Sequence, residues 1–175
     1  MLRALAALAA RPRPRGLASA APWPPSVLIA GASPDDRASL ARAAARLHAG
    51  DTLVFAPALA PDRLAGLVHG ARAVVMPALR DGAALAALDA IAAGVPVIAT
   101  AVGALSEAVG QAGILVEPRD PARLAEALGT MWADDRVRDP LAAAARERSG
   151  AAARPWAEVA LETRAVYADV GVGER

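Results

Sequence analysis

The stretch from Val74 to Thr100, VVMPALRDGAALAALDAIAAGVPVIAT, leaves a folding chain few choices. A short apolar run ends at Met76-Pro77, and a loop holding Arg80, Asp81 and Gly82 follows. Next comes an almost wholly apolar segment of helix length, then Gly94-Val95-Pro96 and a second apolar run. Strand, turn, helix and strand in that order form the βαβ unit of a parallel sheet. The helix is expected over about Ala84 to Ala93, with Asp89 its single charge. A helix apolar nearly all round is expected to be buried, so an acid on it asks for a reason.

The same alternation extends in both directions. Val27–Ala30, Thr52–Phe55, Ala73–Met76, Val97–Thr100 and Gly113–Val116 read as strands. Between them, helices are expected from Ser33, acting as cap, to Leu47, from Pro61 to His69, and from Leu105 to Val109. Pro121, suited to a first helical turn, opens another helix to about Trp132. Beyond it the chain reads as helical from Asp134 to Ser149, interrupted at Pro140, and again from Trp156 to about Val170. This spacing predicts an α/β fold with a doubly wound parallel sheet over residues 26–175. Such sheets carry their sites at the carboxyl ends of strands, which directs attention to the loops after Ala30, Met76 and Thr100.

Residues 1–25 differ in character, with arginines at 3, 11, 13 and 15 and no acid before Asp35. Their composition imitates an organelle transit peptide. The plainer expectation is a helix over Leu2–Ala10 followed by a proline-rich connection, because the alanine and arginine bias runs through the whole chain. Hydrophobic residues make up 55% of the sequence but aromatics only 3%, so the core must be built from thin layers of Ala, Val, Leu and Ile. The net charge of +1 supplies no field for nucleic acid or an anionic membrane. The absence of cysteine removes disulfides and thiolate chemistry. No apolar run reaches the roughly 18 residues that suggest a membrane span.

Gly82 permits a tight turn before a helix N-terminus, whose backbone N–H groups and dipole favour an anion; the alternative is that Asp81 only caps its own helix. Asp89, as an acceptor-only carboxylate, can take a pair of hydroxyls such as those of a ribose, or it can fill a solvent-facing gap. Gly31-Ala32-Ser33 could cradle phosphate but lacks the glycine spacing of a dinucleotide loop. Gly103 suits close backbone approach to a ligand or a simple turn. Glu107 is expected to cap the short helix before it reaches a cleft. His48 and His69 have no partner at metal-ligand spacing, so no metal site is expected.

Leu53 to Gly113 resembles the donor-binding half of the nucleotide-sugar glycosyltransferases of family 4, in the two-domain GT-B class. Their signature, roughly P-S-x-x-E-G-F-G-L-P-x-L-E-A-M-A-x-G-x-P-V-V-A-S, aligns with Pro77 to Thr100, with Asp81, Asp89, Gly94 and Pro96 at its acidic, glycine and proline positions. Val102 to Glu107 resembles the V-G-G-L-P-E that follows, and Gly113 to Pro118 resembles G-x-L-V-x-P. Pro155-Trp156 and Val166-Tyr167 resemble the closing W…VY helix.

The resemblance implies retaining transfer of a sugar from a nucleoside-diphosphate donor, with no obligatory metal and no cofactor beyond that substrate. It puts Asp81 near the donor sugar as the catalytic residue. Asp89 falls on the ribose, and the backbone of Gly82, Ala83, Ala84 and Leu85, with Gly103, on the sugar and diphosphate. Both acids are one methylene shorter than the family's glutamates, and Ala84 replaces a glycine free to take positive φ.

The resemblance also implies that Leu2–Ala10 is the first helix of the domain. The first strand, central in the usual order, and the basic loop after it would then be absent. The two halves of the sheet are expected either to close on each other or to leave a poorly paired seam. The expected role is the donor-binding half of a glycosyltransferase. The rival is a degenerate nucleotide-sugar-binding module working with a separate acceptor-domain partner. The expected setting is cytoplasmic or peripheral to a membrane, without a transmembrane segment or nucleic acid.

Overall fold

The structure is a computed structural model that describes residues 1–18, 21–80, 84–152 and 155–172. Among the described residues, five strands and eight α-helices follow one another as α1 (Leu2–Ala9), β1 (Val27–Ala30), α2 (Pro34–Arg46), β2 (Leu53–Ala56), α3 (Pro61–His69), β3 (Val74–Met76), α4 (Ala84–Ala92), β4 (Val97–Thr100), α5 (Leu105–Val109), β5 (Gly113–Val116), α6 (Pro121–Ala133), α7 (Asp135–Ala152) and α8 (Trp156–Val172). Every strand pair is parallel, as a helix between each pair of strands requires.

Pairing stops in the middle of the sheet. β1 pairs with β2, and β3, β4 and β5 form a second, separate sheet in that order. No described residue before Ser26 forms a strand. Of the two expected outcomes, the open seam is the one found. A cavity of about 700 Å³ separates the sheets, lined on one side by Val27 to Ala30 and on the other by Ala73 to Val75.

What joins the sheets is a layer of helix beneath them. Leu5 and Leu8 of α1 are fully buried against Leu124, Leu128 and Met131 of α6. Val27 and Leu53 of the first sheet pack on this cluster, as do Val75, Ile98 and Ile114 of the second. Gly129 lets α1 come close, since a Cβ there would meet the Leu8 side chain at 3.0 Å. Two tryptophans hold the connection that follows: Trp23 donates its indole N–H to the Arg11 carbonyl and Trp132 donates to that of Pro22. The N-terminal residues are therefore part of the core, bound there by apolar burial at roughly 25 cal/mol per Å².

The opposite face of the second sheet carries α4, α5 and α7, whose Ala87, Ile91, Leu105 and Ala145 pack on Val97 and Ala99. β4 thus sends Ile98 to one layer and Val97 and Ala99 to the other, and all four of its residues are buried. A strand covered on both faces reads as a continuous apolar run, which is the sequence VIAT.

Two local expectations are corrected. α7 runs uninterrupted through Pro140. The proline costs one backbone hydrogen bond and strains the turn before it, and the helix survives because its later turns are anchored on α4 and α5. Glu107 does not cap α5, whose N-cap is Ala104 with no side-chain hydrogen bond.

Candidate functional site

The loops after β3 and β4 lie side by side because the register sets Met76 opposite Ala99. Thr100 joins them. Its buried hydroxyl donates to the Ala78 carbonyl at 2.5 Å, with the Met76 carbonyl at 3.3 Å. This residue had a signal in the sequence, a lone hydroxyl closing a buried apolar strand, and pattern reading passed over it as the strand's end.

α4 follows the β3 loop, and its burial differs from expectation. Ala87, Ala90 and Ile91 form a single buried stripe. Leu85 is 78% exposed, Leu88 is 42% exposed and Asp89 is exposed too. The premise of an acid on a buried helix is corrected. Alanine-rich helices look apolar all round in sequence, yet a helix in the outer layer of an α/β sheet buries only one side. Asp89 lies one helical turn beyond Leu85 on the open side, with no hydrogen-bond or ion-pair partner among the described residues. Its carboxylate is free to accept two donors from solvent or ligand.

The remaining candidates divide clearly. Ala84 starts α4, and among the described residues only His48 and Arg119 are non-glycines with positive φ, so Ala84 carries no strain of that kind. Gly103 is exposed at φ +49°, a conformation that favours glycine, in the loop after β4. Asp81, Gly82 and Ala83 lie outside the described residues. Gly31 turns the chain after β1 at φ +76°, but the Ser33 hydroxyl is already committed to α2, accepting from the Asp36 N–H and donating to the Asp36 carboxylate. Both histidines are exposed, and among the described residues no three His, Cys, Asp or Glu side chains are grouped to hold a metal ion.

A second layer of support comes from α7. Ser149 donates to the Ala92 carbonyl at the end of α4, and Arg148 donates to the Glu107 carbonyl in α5. Gly94 ends α4 at φ +71°, with the Gly94 N–H bonded to the Ile91 carbonyl and the Val95 N–H to that of Ala90. The side chain of Arg146 covers it so closely that a Cβ would meet its Cγ at 2.7 Å. Nothing in the α7 sequence marks these three residues as props for α4 and α5, because the partners are backbone atoms far away in the chain.

Comparison with known proteins gives this arrangement a setting. A family model described as glycosyl transferases group 1 matches residues 6–134, from within α1 to the end of α6. The D-inositol 3-phosphate glycosyltransferase of Streptomyces bingchenggensis is 38% identical over 141 residues, covering 78% of this chain and 30% of the relative. That of Acidothermus cellulolyticus is 41% identical over 90 residues, covering 50% and 20%. A glycogen synthase of Mycobacterium tuberculosis is 40% identical over 114 residues, covering 64% and 27%. The chain thus spans only 20% to 30% of the length of these curated relatives. Among solved structures, sucrose-phosphate synthase from Thermosynechococcus elongatus matches with a TM-score of 0.76 and 27% identity, over 99% of this chain and 43% of that one. Anabaena HepE in complex with UDP-glucose shares the fold, with a TM-score of 0.65 and 20% identity over 85% of this chain and 38% of that one. A match that takes in both sheets and the βαβ unit, supported by relatives and structures of one kind, assigns the chain to the glycosyl transferases group 1 family.

Proposed function

We propose that this chain is the donor-binding half of a retaining glycosyltransferase, which holds a nucleoside-diphosphate sugar while a separate domain holds the acceptor. One observation carries the reading: Asp89, exposed and without a hydrogen-bond or ion-pair partner among the described residues, sits on α4, the helix that follows the β3 loop, in a chain of the group 1 family. In this reading Asp89 accepts the two ribose hydroxyls. Asp81 lies by the donor sugar, and the N–H groups from Gly82 to Leu85 meet the diphosphate with the favourable end of the α4 dipole. Gly103 allows the β4 loop to approach the sugar. No metal and no cofactor other than the donor takes part. The family membership and the UDP-glucose bound by a structural neighbour support a nucleotide sugar as ligand. No described helix is long and apolar enough to cross a membrane; a cytoplasmic chain of this kind would meet a membrane only at its surface.

Titration calorimetry with UDP and GDP, in EDTA, tests the reading. Saturable binding of either nucleotide is expected, and a folded sample that binds neither ends it. The shortened acids and the open seam favour a second reading, a nucleotide-sugar-binding module without turnover that acts with a separate acceptor-domain polypeptide. Transfer of labelled sugar on mixing with an acceptor domain would select the enzyme; binding without transfer would select the module.

A further inference from the structure

Two polar residues are buried among the described residues, Thr52 and Thr100. The Thr52 hydroxyl donates to the Ala49 carbonyl and serves its own turn. The Thr100 hydroxyl reaches across to another loop, donating to the Ala78 carbonyl with the Met76 carbonyl also in range. A strand covered on both faces needs no hydroxyl for its packing, and valine would fill the same space. The hydroxyl therefore acts on the loop it binds.

The backbone around it explains why a side chain is needed there. The Val74 N–H bonds to the Pro96 carbonyl, so the two-residue step of a parallel ladder would set the Ala78 N–H on the Thr100 carbonyl. That carbonyl accepts from the Val102 N–H instead, at 2.9 Å, in the tight turn that opens the loop after β4. The Leu105 N–H then bonds to the Val102 carbonyl and closes the chain around Gly103. β3 ends at Met76, and the hydroxyl carries the contact on to Ala78. Thr100 itself is held from the far side, where it lies opposite Val116 and the Ala101 N–H reaches the Val116 carbonyl. One residue fixed in the sheet thus ties both loops. Its carbonyl holds the Gly103 loop, and its hydroxyl holds the start of the loop that leads on to Asp81.

We propose that Thr100 is a positioning residue for the donor sugar: its hydroxyl sets the Asp81 loop against the Gly103 loop and so governs recognition of the sugar. The inference rests on the donor-binding reading above and divides the site into two independently held parts. Asp89, placed on the ribose in that reading, rides on α4, which is seated by Ala87, Ala90 and Ile91 and held at its last turn by Ser149. None of those supports passes through Thr100. The two loops assigned to the sugar meet at Thr100, and releasing one of them shifts sugar contacts while the nucleoside keeps its own. A misplacement of about 1 Å is enough to cost a large factor at a site of this kind.

Calorimetry on the intact chain compares UDP with UDP-glucose and GDP with GDP-glucose. Thr100→Val and Thr100→Ala both remove the hydroxyl, so either one that keeps the wild-type circular dichroism serves. Such a variant should bind the bare nucleotide within about threefold of wild type and the nucleotide sugar about tenfold more weakly. Thr100→Ser keeps the hydroxyl and should restore the wild-type ratio of the two affinities. Trp132→Phe gives up the bond to the Pro22 carbonyl in the N-terminal connection, and should lower stability without moving that ratio. Equal weakening of both ligands, an unchanged ratio without the hydroxyl, or a serine variant that behaves like valine overturns the proposal. So does a serine variant that folds when neither hydroxyl-free variant does, since the hydroxyl is then needed for folding itself. A wild-type chain that binds a nucleotide but neither nucleotide sugar overturns it too, leaving the donor-binding reading in place for the nucleotide. A folded wild-type chain that binds neither nucleotide ends that reading, and this inference with it.

Discussion

At the scale of single residues, Asp89, Thr100 and His48 separate three kinds of role. Asp89 has no hydrogen-bond or ion-pair partner among the described residues, so Asp89→Asn should leave the urea midpoint unchanged. It should weaken UDP binding about 10- to 100-fold, the worth of a hydrogen bond to a charged group at roughly 1.5–3 kcal/mol; calorimetry reads both the presence and the size of the effect. Thr100 is the reverse case. Thr100→Val keeps the shape but strands the Ala78 carbonyl beside a methyl group, at a cost of about 1–2 kcal/mol. Faster amide exchange in residues 78–80 should accompany the lower urea midpoint. His48 sits just past α2 at φ +53°, with the His48 and Ala49 N–H groups closing the helix on the carbonyls of Ala45 and Ala44. Glycine takes that conformation more easily, so His48→Gly should raise stability by about 0.5–1 kcal/mol in urea titration. The candidate site was legible in sequence at Asp89 and Gly103 because an acid and a glycine stand out in an alanine background. Thr100 was not, because its importance lies in a hydrogen bond to a loop more than twenty residues away.

At the scale of elements, the strands and most helices were legible because apolar runs, caps and prolines are local signals. Ser33 caps α2 as expected, and Pro121 opens α6 as expected, with Asp120 ahead of it as the cap. Burial was less legible. α4 looks buried by composition and is half exposed, whereas α1, with the arginine-flanked look of a leader, supplies two of the largest fully buried side chains, Leu5 and Leu8. Alanine contributes little to a hydrophobic pattern either way, so the partner of each helix decides which face is covered. α4 itself depends on α7. Arg148→Ala removes the bond to the Glu107 carbonyl and the cover over Gly110. It should cost about 1 kcal/mol and loosen α5 in amide exchange, leaving the β1–β2 sheet unaffected.

At the scale of the whole molecule, the seam sets behaviour. Met1 lines the cavity, and burial holds its α-amino group below the ordinary value of 8.0. The unfolded chain takes up that proton more readily, so stability should be full above pH 8.0, where both states are neutral, and should fall as the pH drops below it. Urea midpoints across this window check the sign, and acetylation of Met1 should flatten the profile. The sequence established the order of the elements, the parallel α/β class and the resemblance to one glycosyltransferase family, because these follow from periodicity, turn residues and motif spacing along a single line. It also foresaw a sheet without its central strand, yet left open whether the halves would meet. That was settled in three dimensions. α1 and α6 pack beneath both sheets, and the side chains buried in that layer fix where each sheet lies, with no pairing between β1 and β3.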